Sequence, residues 1–145
     1  MPRLIFISHS SVDTWVARKI AEEIHRCGAE TFLDEANIQI GADFEEVILK
    51  VLERADELLV LLTPWSIERP YVMVELGAAL VLRIPIIGVL HGLTAKKLQK
   101  KATMPVFLKK RNLIDLNGID KYFEELRERV EAEKDKEGDG DEQEI

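Results

Sequence analysis

Short apolar runs alternate along the chain with longer segments whose apolar residues recur every three or four positions. The runs at 4–8 (LIFIS), 58–63 (LLVLLT) and 86–90 (IIGVL) predict β-strands buried on both faces. Weaker runs at 30–34 and 112–116 predict two further strands. Strands that alternate with helices build parallel sheets. We therefore predict an α/β, flavodoxin-like, doubly wound fold with a five-stranded parallel sheet flanked by about five helices.

The longer segments have the amphipathic pattern of helices. Ser10 and Asp13 have the spacing of a capping box at the start of the first helix, and Gly28 is its expected stop. Pro70 suits the first turn of a third helix, and a short helix is predicted at 94–101. Apolar faces are predicted from three sets: Val16, Ile20 and Ile24; Phe44, Val47, Ile48, Val51, Leu52 and Ala55; and Ile119, Tyr122, Phe123, Leu126 and Val130.

The formal net charge of −7 is concentrated at the carboxyl end. Residues 133–145 contain seven acidic residues and two lysines, with no aromatic residue. Such a segment cannot build a core, so we predict one domain at 1–132 and a disordered acidic tail at 133–145. Without the tail the chain is nearly neutral. Nucleic acid is therefore not expected as a partner, because phosphate binding needs a basic surface.

Other patterns narrow the class of protein further. The single cysteine, Cys27, excludes an intrachain disulfide, and the longest apolar stretch is interrupted by Arg83 and Pro85. A cytoplasmic domain without a membrane partner is expected. The three histidines lack metal-ligand spacing, so no metal site is predicted. Neither a dinucleotide-binding glycine motif nor a phosphate-binding loop is present, so no cofactor is predicted.

Polar side chains follow the first three predicted strands. Ser8 ends the first strand and is followed by His9 and Ser10, Asp34 ends the second, and Ser66 follows the third. The carboxyl ends of parallel strands meet at one edge of the sheet, where such folds bind ligands. These residues are therefore candidates for one site.

Glu75 is the only carboxylate between residues 70 and 82, in an otherwise apolar helical segment. Burying a carboxylate costs several kcal/mol, so the residue needs a reason to be there. It either accepts hydrogen bonds that fix a nearby loop, or it faces a ligand in a cleft. Tyr71 lies one turn earlier on the same face. An aromatic ring beside a carboxylate suits a nucleoside.

Several segments together resemble the Toll/interleukin receptor (TIR) domain in its prokaryotic form. "IFISHSSVD" (5–13) resembles the first conserved box, and "GAETFLDEANIQIGADF" (28–44) resembles the second strand and the BB loop. "LLVLLTPWSIERPYVMVELGAAL" (58–80) resembles the third strand and the αC helix. "FLKKRNLIDLNGIDKYFEEL" (107–126) is similar to the C-terminal segment of prokaryotic members.

The resemblance implies an enzyme that cleaves the nicotinamide–ribose bond of NAD, giving nicotinamide and ADP-ribose or a cyclised form. The catalytic glutamate of such members lies in a W-x-x-x-E pattern, and "YVMVE" (71–75) matches it with tyrosine in place of tryptophan. Glu75 is then the catalytic residue, with NAD as substrate. The implied substrate-binding residues are Tyr71, Ser8, His9, Ser10, Asp34 and Ser66.

Other TIR domains are the second implied partner. The BB loop, residues 34–43, would cover the site or contact a neighbouring domain through Ile38, Ile40 and Gly41. Activity would then depend on self-association.

Two alternatives remain open. In the first, the chain is a non-catalytic module for TIR–TIR signalling. Exposure of Ile38 and Ile40 would favour this alternative. In the second it is a nucleoside deoxyribosyltransferase-like enzyme, because "VELGAALVLRIPIIGV" also resembles the Glu-x-Gly-x-Ala segment of that family. "ISHSS" and the BB-loop pattern argue against the second alternative.

Overall fold

A parallel five-stranded sheet forms the centre of the molecule. The computed structural model of the chain describes residues 2–33, 44–101 and 113–143. The strands are β1 (Leu4–Ser8), β2 (Glu30–Leu33), β3 (Glu57–Leu62), β4 (Ile86–Leu90) and β5 (Leu113–Asp115), in the order β2-β1-β3-β4-β5. All four strand pairs are parallel. The predicted fold class is confirmed.

Five α-helices connect or follow these strands within the described residues. They are α1 (Thr14–Arg26), α2 (Phe44–Arg54), α3 (Pro70–Val81), α4 (Ala95–Lys100) and α5 (Asp120–Gln143). Short 3-10 turns lie at Ser11–Asp13, Ser66–Glu68 and Leu116–Gly118. In the ranges described, every helix is too short or too polar to cross a lipid bilayer.

The strands divide their side chains between two cores. Leu4 and Phe6 of β1 pack with α2, α3 and α4 on one face of the sheet, whereas Ile5 and Ile7 pack with α1 and α5 on the other. The side chains of β3 alternate in the same way, so each strand contributes side chains to both cores. The sheet is therefore covered on both faces, which explains the nearly continuous apolar runs of β1, β3 and β4.

The start of α1 differs from its prediction. Ser10 makes no capping bond to a backbone N–H; its hydroxyl donates instead to the Asp13 carboxylate at 2.6 Å. Asp13 is only 5% exposed and also accepts from the Thr63 hydroxyl at 2.6 Å. The expected capping box is thus replaced by a link between the loops that follow β1 and β3.

The stop of α1 agrees with its prediction. Gly28 has a φ of +94°, a conformation that residues with a Cβ adopt at a cost. A Cβ there would lie 3.0 Å from Cγ1 of Val130 on α5. Just before it, the Cys27 side chain is 6% exposed, and its Sγ lies 3.6 Å from the Phe123 carbonyl oxygen of α5. Burial raises the pKa of this thiol.

The last helix is longer than the sequence analysis expected. We expected an acidic disordered tail from residue 133, whereas α5 continues to Gln143. Glu, Lys and Arg are good helix formers, and Glu125 pairs with Arg129 one turn later. The added turns therefore extend a helix that is already anchored by its apolar face.

One buried charge at the amino end of the sheet was not predicted. Glu57, the first residue of β3, is 0% exposed. Its carboxylate accepts from Arg3 Nε at 2.7 Å, from Arg129 Nη1 at 3.0 Å and from the Tyr122 hydroxyl at 3.3 Å. Arg3 also pairs with Glu133 at 2.5 Å. These bonds connect the start of the chain, β3 and α5.

Candidate functional site

A cleft of about 210 Å³ opens between α2 and α3. Its walls are largely apolar, with one aromatic ring and two carboxylate side chains among them. The described residues that line it are Glu45, Ile48, Leu49 and Leu52 of α2 and Tyr71, Val74, Glu75 and Ala78 of α3. The two residues singled out on α3 in the sequence therefore meet in one cleft.

Glu75 lies at the inner side of this cleft. It is 0% exposed, and its neighbours Val72, Leu76 and Ala79 on α3 are buried against the sheet. The inner face of α3 packs against the sheet and carries Glu75 out of bulk solvent. Interactions of a side chain in such a position are screened by water only weakly.

Tyr71 stands nearer the mouth of the cleft. It is 43% exposed, and its hydroxyl donates to Oε1 of Glu45 at 3.3 Å. Desolvation and the neighbouring Glu45 carboxylate both raise the pKa of this phenol, so the hydroxyl stays protonated as a donor. The bond bridges α2 and α3 across the cleft.

Ser8, the last residue of β1, points to the same side of the sheet as Glu75. In a strand, residues two apart share a face, so Ser8 lies on the face of Leu4 and Phe6, under α2 and α3. The residue is 0% exposed. Its hydroxyl oxygen has no hydrogen-bond partner among the described residues. A buried hydroxyl in that state is a ready donor for a ligand.

Ser10 and Ser66 lie in a different arrangement. Ser66 Oγ accepts from the Thr63 backbone N–H at 2.9 Å, and the Ser66 N–H donates to the Thr63 hydroxyl at 3.1 Å. Thr63 and Ser10 both donate to Asp13. The described residues of the cleft include neither serine. Both are thus occupied in holding two loops together at the carboxyl edge, beside the cleft.

Asp13 and Thr63 are the two members of this network that the sequence analysis did not assign to the site. The spacing of Ser10 and Asp13 was a signal, but it suggested a helix cap. Only the strand order, which makes β1 and β3 neighbours, brings Thr63 to Asp13.

The remaining predicted residues are distributed as follows. His9, directly after β1, is 3% exposed. Asp34, Ile38, Ile40 and Gly41 lie outside the described residues, so their predicted roles stay predictions.

A comparison with protein families decides the assignment. The model of the TIR domain family matches residues 5–130. The chain belongs to the TIR domain family. The match spans the strands, the cleft and the first half of α5 up to residue 130, and it favours the TIR resemblance over the deoxyribosyltransferase alternative. No curated protein matches the chain.

Solved TIR structures share the fold at low sequence identity. The TIR domain of the Toll-related receptor TRR-2 from Hydra magnipapillata is 20% identical, with a TM-score of 0.65, 85% of this chain covered and 97% of that chain. A metazoan TIR-STING receptor from C. gigas, in complex with 2',3'-cGAMP, is 17% identical, with a TM-score of 0.66 and coverages of 87% and 38%. The TIR domains of the activated Roq1 resistosome, which directly recognises the pathogen effector XopQ, are 14% identical, with a TM-score of 0.60 and coverages of 68% and 63%.

Proposed function

We propose that this TIR domain is an NAD glycohydrolase that cleaves the bond between nicotinamide and ribose. The observation that carries the proposal is the fully buried Glu75, which lines a cleft with the Tyr71 ring. The pattern of residues 71–75 matches the position of the catalytic glutamate in NAD-cleaving members of the family. The products would be nicotinamide and ADP-ribose, or a cyclised form of ADP-ribose.

The chemistry needs little more than a well-placed negative charge. The nicotinamide of NAD is a cation, so when its bond to the ribose breaks, the electron pair returns to the ring nitrogen and a neutral molecule leaves. No acid is needed to protonate this leaving group. Positive charge develops on the ribose, and the Glu75 carboxylate stabilises it. Addition of water to the ribose, with loss of a proton, completes hydrolysis.

The other residues would hold the substrate. Tyr71 packs its ring against the ribose or a base. Ser8 offers a buried hydroxyl on the same sheet face as Glu75, and His9 lies at the end of the same strand. Ser10 and Ser66 act through the Asp13–Thr63 network by fixing the loops around the site. Asp34 and the rest of residues 34–43 are proposed to border the site or contact a neighbouring domain.

Self-association is proposed to complete the active form. A site that is finished by a second copy leaves an isolated domain nearly silent. Ile38, Ile40 and Gly41 are the proposed contact residues. NAD and other TIR domains are then the partners, in a cytoplasmic setting, with no cofactor beyond the substrate.

Release of nicotinamide from NAD tests the proposal. The protein is assayed at high concentration or on a crowding support, as the wild type and as Glu75→Ala. We expect NAD to be consumed by the wild type alone. Equal consumption by both proteins would refute the catalytic role of Glu75.

A signalling module without catalysis is the second candidate. The observation that favours it is the exposed apolar surface of α3, where Val74 is 60% exposed and Val81 80% exposed. Apolar side chains that share a helix face and remain in solvent mark contact surfaces. If the wild type self-associates, as light scattering would show, yet leaves NAD intact, this candidate replaces the first.

A further inference from the structure

The cleft contains a carboxylate that neither the sequence motif nor the proposed catalytic step uses. Glu45 lies in the first turn of α2 and faces Tyr71 across the mouth of the cleft. Among the described residues that line the cleft, the only charged ones are Glu45 and Glu75. Both of these described side chains are acidic.

We propose that Glu45 is a specificity-determining residue, which with Tyr71 makes this cleft selective for a planar aromatic cation. This inference rests on the proposed function and refines it, since it states which part of NAD the cleft receives. The part is the positively charged pyridinium ring. The diphosphate and the adenine would lie elsewhere.

Three properties of the cleft support this selectivity. Ile48, Leu49 and Val74 offer an apolar surface to the faces of a flat ring. The Tyr71 ring can attract a cation through the negative face of its π-system. Glu45 and Glu75 favour a positive ligand and oppose the entry of a phosphate group.

The size of the cleft agrees with a single ring. Its volume of about 210 Å³ is below the range of roughly 300–1,000 Å³ found for pockets that enclose a whole drug-sized ligand. A dinucleotide would therefore place only one of its rings here.

The Tyr71 hydroxyl has a positioning role in this arrangement. By donating to Oε1 of Glu45 at 3.3 Å, it orients this exposed side chain beside the Tyr71 ring. A tyrosine at this position thus supplies both a ring face and an oriented carboxylate.

The proposal is tested with two probes that differ in charge: 1-methylnicotinamide, which is a cation, and nicotinamide, which is neutral. Binding to the full chain is followed by NMR through the Val74 methyl signals, which every variant retains. We expect the wild type to bind the cation more tightly. Glu45→Gln should reduce that preference by about two- to fivefold, the range for one charge contact at an exposed position. Added salt should weaken the preference of the wild type.

Two variants sharpen the result. Tyr71→Phe keeps the ring and removes the donor to Glu45, so it should lower the preference by less than Glu45→Gln does. Glu53→Gln removes the same charge from an exposed position of α2 that does not line the cleft, and it should leave the preference unchanged. Equal binding of the two probes by the wild type, or an unchanged preference in Glu45→Gln, overturns the inference.

Failure of this inference is separable from failure of the proposed function, because probe binding requires no cleavage. A wild type that selects the cation through Glu45 but releases no nicotinamide from NAD keeps the inference and loses the activity. A wild type that cleaves NAD through Glu75 but shows no effect of Glu45→Gln keeps the activity and loses the inference.

Discussion

Two glutamates, Glu57 and Glu75, are both completely buried, yet their surroundings differ. Glu57 lies at the amino end of β3 among two guanidinium groups and a phenol that all donate to it. Glu75 lies on α3 beside a cleft whose other described lining residues are apolar apart from Tyr71 and Glu45. The first carboxylate neutralises fixed positive charge inside the fold. The second faces a space that a ligand can fill.

The difference shows that burial of a charge does not by itself indicate function. Structural ion pairs bury carboxylates as thoroughly as active sites do. What separates the two glutamates is the adjoining cleft.

Replacing Glu57 should cost the most stability. Glu57→Gln leaves Arg3 and Arg129 without the carboxylate that neutralises them, and Arg3 is only 15% exposed at its side chain. We expect the free energy of unfolding to fall by about 3 kcal/mol, because one partner of a buried charge network is removed. Urea denaturation measures this change, with Glu53→Gln as the control. A loss below about 1 kcal/mol would show that the network is not structural.

Replacing Glu75 should change the stability little and the activity strongly. Glu75→Gln keeps the shape of the side chain, so the free energy of unfolding should change by less than about 1 kcal/mol. The rate of nicotinamide release should fall at least about a hundredfold, the typical effect of removing one group that stabilises transition-state charge. The rates of nicotinamide release by the wild type and by Glu75→Gln are compared on samples of matched stability. A variant that unfolds as readily as Glu57→Gln would place Glu75 with the structural carboxylates.

The Glu57 network should also make stability depend on alkaline pH. Burial, followed by the charge of Glu57, raises the pKa of Tyr122 above the ordinary phenol value of about 10. Above pH 10 the unfolded chain loses this proton while the folded chain keeps it. Stability therefore falls as pH rises, by at most about 1.4 kcal/mol per pH unit. Tyr122→Phe should remove this part of the slope. Urea midpoints measured below and above pH 10 show whether the two slopes differ; identical slopes would contradict the prediction.

Ser8 offers the smallest and most discriminating test on the cleft side. Its buried hydroxyl has no partner among the described residues, so Ser8→Ala should change the free energy of unfolding by no more than about 0.5 kcal/mol. If the hydroxyl contacts substrate, the KM for NAD should rise severalfold while stability is kept. Thermal melting and steady-state kinetics on one preparation measure both. Thr63→Val is the matched comparison, because the Thr63 hydroxyl is bonded within the fold.

The fold was predictable because its signals are local. The apolar strands, the amphipathic faces of α1 and α2, and the stop at Gly28 each arise within a few residues. Tyr71 and Glu75 were predicted to share a helix face for the same reason, since they are one turn apart on α3.

The features that were missed depend on distant residues. Glu57 precedes an apolar strand in the sequence, and its partners Arg3 and Arg129 are 54 and 72 residues away. Glu45 reaches the cleft only because α2 packs beside α3. The length of α5 was missed because an acidic composition was taken as a sign of disorder, although the same residues propagate a helix that is already anchored.

Cys27 makes the packing of α5 accessible to a chemical measurement. The single thiol of the chain is buried beside the Phe123 carbonyl oxygen, and its raised pKa keeps it in the unreactive protonated form. A thiol-specific reagent should therefore modify the native protein only when α5 lifts from the sheet. The labelling rate of Cys27 therefore measures this opening of α5. The measurement uses the unaltered sequence, with no probe introduced.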